Sequence, residues 1–268
     1  MLNQPQAVFS YTIPYFISND GESIELFVSE KTYEKYLQVQ SAFKMTIISG
    51  DIHPLGRDLG LVTTTLFDAD QAILIIGTKD IADYSNELLD ISIATELERI
   101  LQFDPNRFFH YLYSDQTPEH IQMFIDDIQQ TLEDIAISKR LAKAGYRIDQ
   151  REEEMMESIV ANADAFHYLK KEDPIENKDA QYVLMKLFFV YHFDKTLYKS
   201  YKQKLHGIYP RLFIEHEQLQ KQIQKFNLST EKGQARALDK LFQTLGYQRF
   251  VQKITVADVP KWELPVSQ

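Results

Sequence analysis

The chain contains no cysteine, so it can form neither a disulfide framework nor a thiolate metal site. Glycine is scarce: nine in 268 residues, against an average usage of about 7%. Little material is left for phosphate-cradling loops, and neither Gly-x-Gly-x-x-Gly nor Gly-x-x-x-x-Gly-Lys-Ser/Thr occurs. Nucleotide binding of those two kinds is disfavoured. No apolar run approaches the roughly 18–20 residues that a membrane-spanning helix needs; the longest, Ala72–Gly77, is strand-sized. Met1–Ser10 lacks the basic start and apolar core of a secretory signal. With no cysteine either, a cytoplasmic location is the expectation.

What is present is a hydrophobic content of 44%, enough for a sizeable core, and a charge balance that splits by position. Up to Asp134 there are 22 acids against 7 bases, a net of −15. From Ile135 onward there are 17 acids against 22 bases, a net of +5. Such a chain offers two electrostatic surfaces, which bears on partners more than on fold. The overall pI near 5.2 argues against general nucleic-acid binding.

The first third reads as mixed α/β. Ser23–Val28 follows the turn signal Asn19-Asp20-Gly21 and reads as a strand. Tyr33, Tyr36, Leu37 and Gln40 have helical spacing, and Phe43, Met45 and Ile47 alternate with polar residues as in a half-buried strand. Leu59–Phe67 and Gln71–Ile76 flank Asp68-Ala69-Asp70, the pattern of a hairpin. From Ser85 the period becomes helical. Thr117-Pro118-Glu119 predicts a helix start capped by the Thr117 hydroxyl. Its apolar stripe, Ile121, Phe124, Ile125, Ile128, Leu132 and Ile135, is opposed by Asp126, Asp127, Glu133 and Asp134.

The remainder predicts helices over Arg151–Lys170, Asp179–His206, Pro210–Phe226 and Thr230–Leu245, the last closed by Gly246. Gln248–Val256 is a candidate returning strand. The expected class is α+β: a small, mostly antiparallel sheet with covering helices, followed by a C-terminal helical bundle. The expected regions are 1–113, α+β; 114–250, helical; and 251–268, an extended tail that holds the only tryptophan, Trp262.

Four constellations are candidates for function. Gly50–Gly60 gathers three glycines with Asp51, His53, Arg57 and Asp58, either a ligand loop or a solvated turn. Lys195, Lys199, Lys202, Lys204 and Arg211 occur with no acid among them, interleaved with Tyr198, Tyr201 and Tyr209. That density suits an acidic protein surface, single-stranded nucleic acid, or a plain amphipathic helix. Between Asp115 and Asp134 there are six acids and no base; adjacent Asp126 and Asp127 point about 100° apart on a helix and chelate one ion poorly.

The fourth is His216. Arg211 and His216 have the Arg-x4-His spacing of HEPN-type ribonucleases, although five helical residues set them about 140° apart. His216-Glu217-x-x-Gln220 resembles the zincin motif His-Glu-x-x-His, with Gln220 where the second zinc ligand belongs. His216 also continues the apolar stripe of Leu212, Leu219 and Ile223, the position of a core-edge histidine. Arg211 and His216 are thus the weak catalytic candidates; no metal or cofactor is expected. The leading expectation is a non-enzymatic cytoplasmic interaction subunit (adaptor, chaperone-like or inhibitory) using Asp126, Asp127, the basic stretch and Trp262 to meet one or more proteins, including a second copy. The alternative is a nucleic-acid-binding or ribonuclease subunit using residues 195–216.

Overall fold

A computed structural model describes residues 8–17, 23–50, 62–67, 71–77, 84–102, 109–163, 170–171 and 173–255. Strands β1 (Phe9–Phe16) and β2 (Ser23–Ser29) form an antiparallel pair that sets Ile13 opposite Leu26. Helix α1 (Glu30–Ala42) then returns the chain to β3 (Lys44–Ser49), which lies parallel to β1. Strands β4 (Val62–Phe67) and β5 (Gln71–Gly77) form the expected hairpin, with β5 inserted beside β3 in parallel. The sheet order is β2-β1-β3-β5-β4. A second sheet pairs β6 (Phe109–Tyr113) with β7 (Val251–Thr255), so the candidate returning strand is real and takes up the first residues of the expected tail. Antiparallel pairing holds at three of the five strand interfaces, and the α+β class is as expected.

Alternation along the strands puts Ile13, Tyr15, Leu26, Ile47 and Leu74 on one buried face. Against that face lies α2 (Asn86–Leu101), capped by the Ser85 hydroxyl, which accepts the Leu88 N–H at 3.1 Å. Ten consecutive residues of α2, Leu88–Leu97, are buried. A helix covered on every side has to carry its polar residues into the interior, and Asp90, Thr95 and Glu96 are all there. Each of them needs a partner.

Helix α3 (Glu119–Lys143) covers the far side of α2 and presents the expected apolar stripe. Its start differs from expectation. The cap position is Pro118, and Thr117 makes no capping bond; its hydroxyl lies 3.4 Å from that of Ser114. A competing local turn takes the side chain. Gly145, at φ +86°, turns the chain into α4 (Ile148–Ala161), which stops well short of Lys170.

The segment read as one helix from Asp179 to His206 is two, α5 (Lys178–Phe193) and α6 (Lys195–Leu205). Asp194 is extended, at φ −146° and ψ 121°, and its carboxylate accepts the N–H groups of Thr196 and Leu197 at 2.6 and 3.0 Å. An aspartate that can cap a new helix outcompetes the continuation of the old one. Helices α7 (Pro210–Ile223) and α8 (Glu231–Leu245) complete the bundle, and Gly246 closes α8 in the left-handed conformation at φ +72°. One continuous apolar cluster runs from Ile13 to Phe242, so sheet and bundle share a core.

Candidate functional site

Helix α6 carries the basic stretch. Lys195, Lys199 and Lys202, spaced by four and three, share one exposed stripe. Lys202 donates to Glu217 at 2.8 Å, and the Lys195 ammonium sits over the Tyr191 ring. Lys199 forms no ion pair among the described residues. Lys204 stands on another side of the helix, 3.7 Å from Glu157. Tyr201 and Tyr209 are buried, and the Tyr198 ring leans on His216. Tyr201 and Tyr209 therefore belong to the core and Tyr198 is half-buried at its edge, while the lysines are exposed.

His216 is sealed in that core, with no exposed surface. Its Nδ1 lies 3.3 Å from the Tyr198 hydroxyl, while the rings of Phe188 and Tyr191 enclose it at 5.0 and 5.4 Å. Its Nε2 makes no hydrogen bond among the described residues. Burial, and then the neighbouring His192, push its pKa down to about 3. Arg211 does not approach it; that guanidinium donates to the Lys171 carbonyl at 2.5 Å. Gln220 faces His192, with Oε1 2.8 Å from Nε2, and Glu217 is exposed on Lys202. The Arg211/His216 pair and the His216-Glu217-x-x-Gln220 set are thus each dispersed.

Asp126 and Asp127 diverge as adjacent helical residues should. Asp126 accepts the Tyr113 hydroxyl at 2.6 Å on the surface, whereas Asp127 lines a cavity that opens to solvent. Two further acids of α3, Glu133 and Asp134, are half-buried and paired. Glu133 and Asp134 both bind the Arg99 guanidinium, Glu133 at 2.5 Å, and Glu96 joins them at 3.2 Å. Burial works against the Arg99 charge, but the three carboxylates outweigh it and raise its pKa further. Glu96 is also bonded by the Thr63 and Thr65 hydroxyls at 3.1 and 2.9 Å. Both its oxygens are engaged, which leaves it poorly placed to take a substrate proton.

Beside this cluster, between α2, α3, α4 and α5, lies a cavity of about 130 Å³. Beneath it Glu152, wholly buried, binds Arg151 Nε at 2.8 Å and Nη2 at 2.6 Å. Arg151 Nη1 reaches the Thr95 hydroxyl at 3.2 Å. Lys186 approaches the second Glu152 oxygen at 3.7 Å and lies over the Tyr182 and Phe189 rings. Burial alone would raise the Glu152 pKa, but Lys186 and Arg151 outweigh it and hold the carboxyl below its ordinary value. The Lys186 ammonium is likewise held below its ordinary value, by burial first and by Arg151, which together outweigh the opposing pull of Glu152.

Sequence reasoning passed over Thr95, Glu96, Arg99, Arg151, Glu152 and Lys186. One signal was available: Lys186 is the only charged residue between Asp179 and Asp194, in a segment otherwise apolar on all sides. A lone charge there is committed to the interior and needs a counter-ion. The loop beyond Gly50 and the tail with Trp262 lie outside the described residues. Among those residues no helix is long and apolar enough to cross a membrane. No protein-family model, curated protein or solved structure matches the chain.

Proposed function

We propose that this chain is a cytoplasmic protein–protein interaction subunit that receives an acidic partner surface on the exposed stripe of α6. The observation that carries this reading is the separation of Lys195, Lys199 and Lys202 from their tyrosines. The lysines face water while Tyr201 is in the core. Single-stranded nucleic acid is held by stacking on exposed rings as well as by charge, and this helix offers no fully exposed ring: Tyr201 is buried and Tyr198 leans on His216. An acidic protein surface needs no rings, and its attraction to the stripe weakens with salt. The dispersal of Arg211 from His216, and the full engagement of Glu96, support a binding role over a catalytic one.

The test is recovery of the protein from its own cells in low salt, followed by identification of stoichiometric companions. Lys199→Glu with Lys202→Glu should release the partner, while Lys204→Glu, on another side of the helix, should retain it. Retention by the double variant removes α6 from the proposal. Companions that vanish on ribonuclease treatment overturn it. A second copy acting as the partner would appear as salt-sensitive dimerisation in sedimentation.

A further inference from the structure

The cavity among α2–α5 has the attributes of a ligand site, independent of the α6 surface. Its volume of about 130 Å³ is roughly ten times the 10–15 Å³ that one water requires. Its walls carry opposite charges. Asp134 and Asp127 line it from α3, and Lys186 lines it from α5. Lys186 and Asp134 form no ion pair, yet the carboxylate is near enough for its charge to favour the ammonium. Two unlike charges that line one cavity without pairing leave room for a dipolar molecule between them.

Lys186, Asp134, Ser92 and Thr131 have hydrogen-bonding capacity left over. Lys186 has three N–H donors, and its ion-pair partner Glu152 is 3.7 Å away, beyond hydrogen-bond length. The Asp134 carboxylate is bonded to Arg99 through one oxygen only. The hydroxyls of Ser92 and Thr131, both lining residues, make no hydrogen bond among the described residues. Met155, Met185 and Phe189 supply an apolar side. Small-molecule sites combine such a wall with a few convergent polar groups.

We propose that this cavity binds a small zwitterion of the α-amino-acid class with an apolar side chain. The carboxylate meets Lys186, the ammonium group meets the Asp134 side, and the side chain lies against Met155, Met185 and Phe189. Neither charge alone suffices, because a lone anion faces the carboxylates and a lone cation faces Lys186.

Calorimetric titration of the full chain with three probes tests this. The probes are L-leucine, 4-methylpentanoate (the same skeleton without the amine) and 3-methylbutylamine (without the carboxylate). Leucine should bind, and each truncated probe should bind at least about tenfold more weakly, since each leaves a desolvated charge unpaired. Thr131→Val, which keeps the shape and the ion pairs, should weaken leucine severalfold. No heat from leucine at about 10 mM, where even a millimolar site would be largely filled, overturns the proposal. So does equal binding of leucine and either truncated probe.

Discussion

Two parts of this molecule concentrate charge, and they do so under opposite physics. Between α2, α3, α4 and α5 the charges are interior: Arg99 is held by three carboxylates, and Glu152 is held by Arg151 and Lys186. On α6 the charges are peripheral, and the Lys202–Glu217 pair is nearly half exposed at both ends, 45% and 48%. Interior charges have lost their water, so each depends on a specific neighbour. Surface charges keep their water and remain available to an outside partner. The acidic N-terminal half and basic C-terminal half are therefore not two uniform surfaces. Much of the acid in α3 is consumed internally by Arg99, while the lysines of α6 stay on the outside.

The sharpest way to break this comparison is to remove one interior partner. Glu152→Ala leaves Arg151 and Lys186 without their counter-ion, and truncation of a buried pair costs about 3–5 kcal/mol. Urea unfolding should read a loss of that size, with a Tm lower by roughly 10 °C. The companion experiment replaces all three groups at once, as Arg151→Met, Glu152→Leu and Lys186→Met. Apolar replacements of buried ion triads are often neutral or stabilising. A triple variant as stable as the parent, but unable to bind leucine, would assign the charges to recognition. A mild effect of Glu152→Ala alone would show that water reaches the network.

The next effect concerns protons. His216 and His192 stay neutral in the folded chain, their pKa values lowered to about 3 and about 4, in each case chiefly by burial. In the unfolded chain both return toward their ordinary value of 6.5. The unfolded state thus binds more protons at mildly acid pH, and stability falls as the pH drops below about 6.5. His216→Phe fills the same ring cage without a basic nitrogen. Between pH 7 and pH 4.5 its stability should fall by about 2 kcal/mol less than that of the parent. Identical slopes for the two proteins would mean that His216 accepts a proton without unfolding.

The junction of α5 and α6 gives a smaller and purely local effect. Asp194→Ala removes the carboxylate that caps α6 and should cost about 1 kcal/mol. Circular dichroism should show α5 unchanged or slightly extended, as the sequence pattern without Asp194 would have one continuous helix. This junction also marks how far the sequence could be read. Period and punctuation were legible at the β4–β5 hairpin, the helical period from Ser85, the Gly246 stop and the buried stripe from Ile121 to Ile135. Legibility failed where two outcomes competed within a few residues, as at Thr117, whose hydroxyl turned to Ser114, and at Asp194. At the cavity the lone charge of Lys186 was the one local signal, and the pairings themselves were not legible. Arg99 meets Glu133 and Asp134 across 34 and 35 positions, and Arg151 meets Thr95 across 56. Nothing local announces such pairs.

The smallest stability effect belongs to the surface whose functional effect should be largest. Lys199→Glu with Lys202→Glu removes one exposed ion pair and adds two acids to a solvated helix face. Exposed pairs contribute roughly 0–1 kcal/mol, and surface substitutions generally stay within about 0.5 kcal/mol. Chemical denaturation should find the double variant within that margin of the parent. Lys199 has no ionic partner among the described residues to lose, and Glu217 is exposed enough to recover its water. A much larger loss would mean that the stripe is tied into the bundle, and released partners could then be blamed on unfolding. With stability unchanged, any loss of a companion traces to charge alone, which is the distinction between the outer lysines of α6 and the inner Lys186.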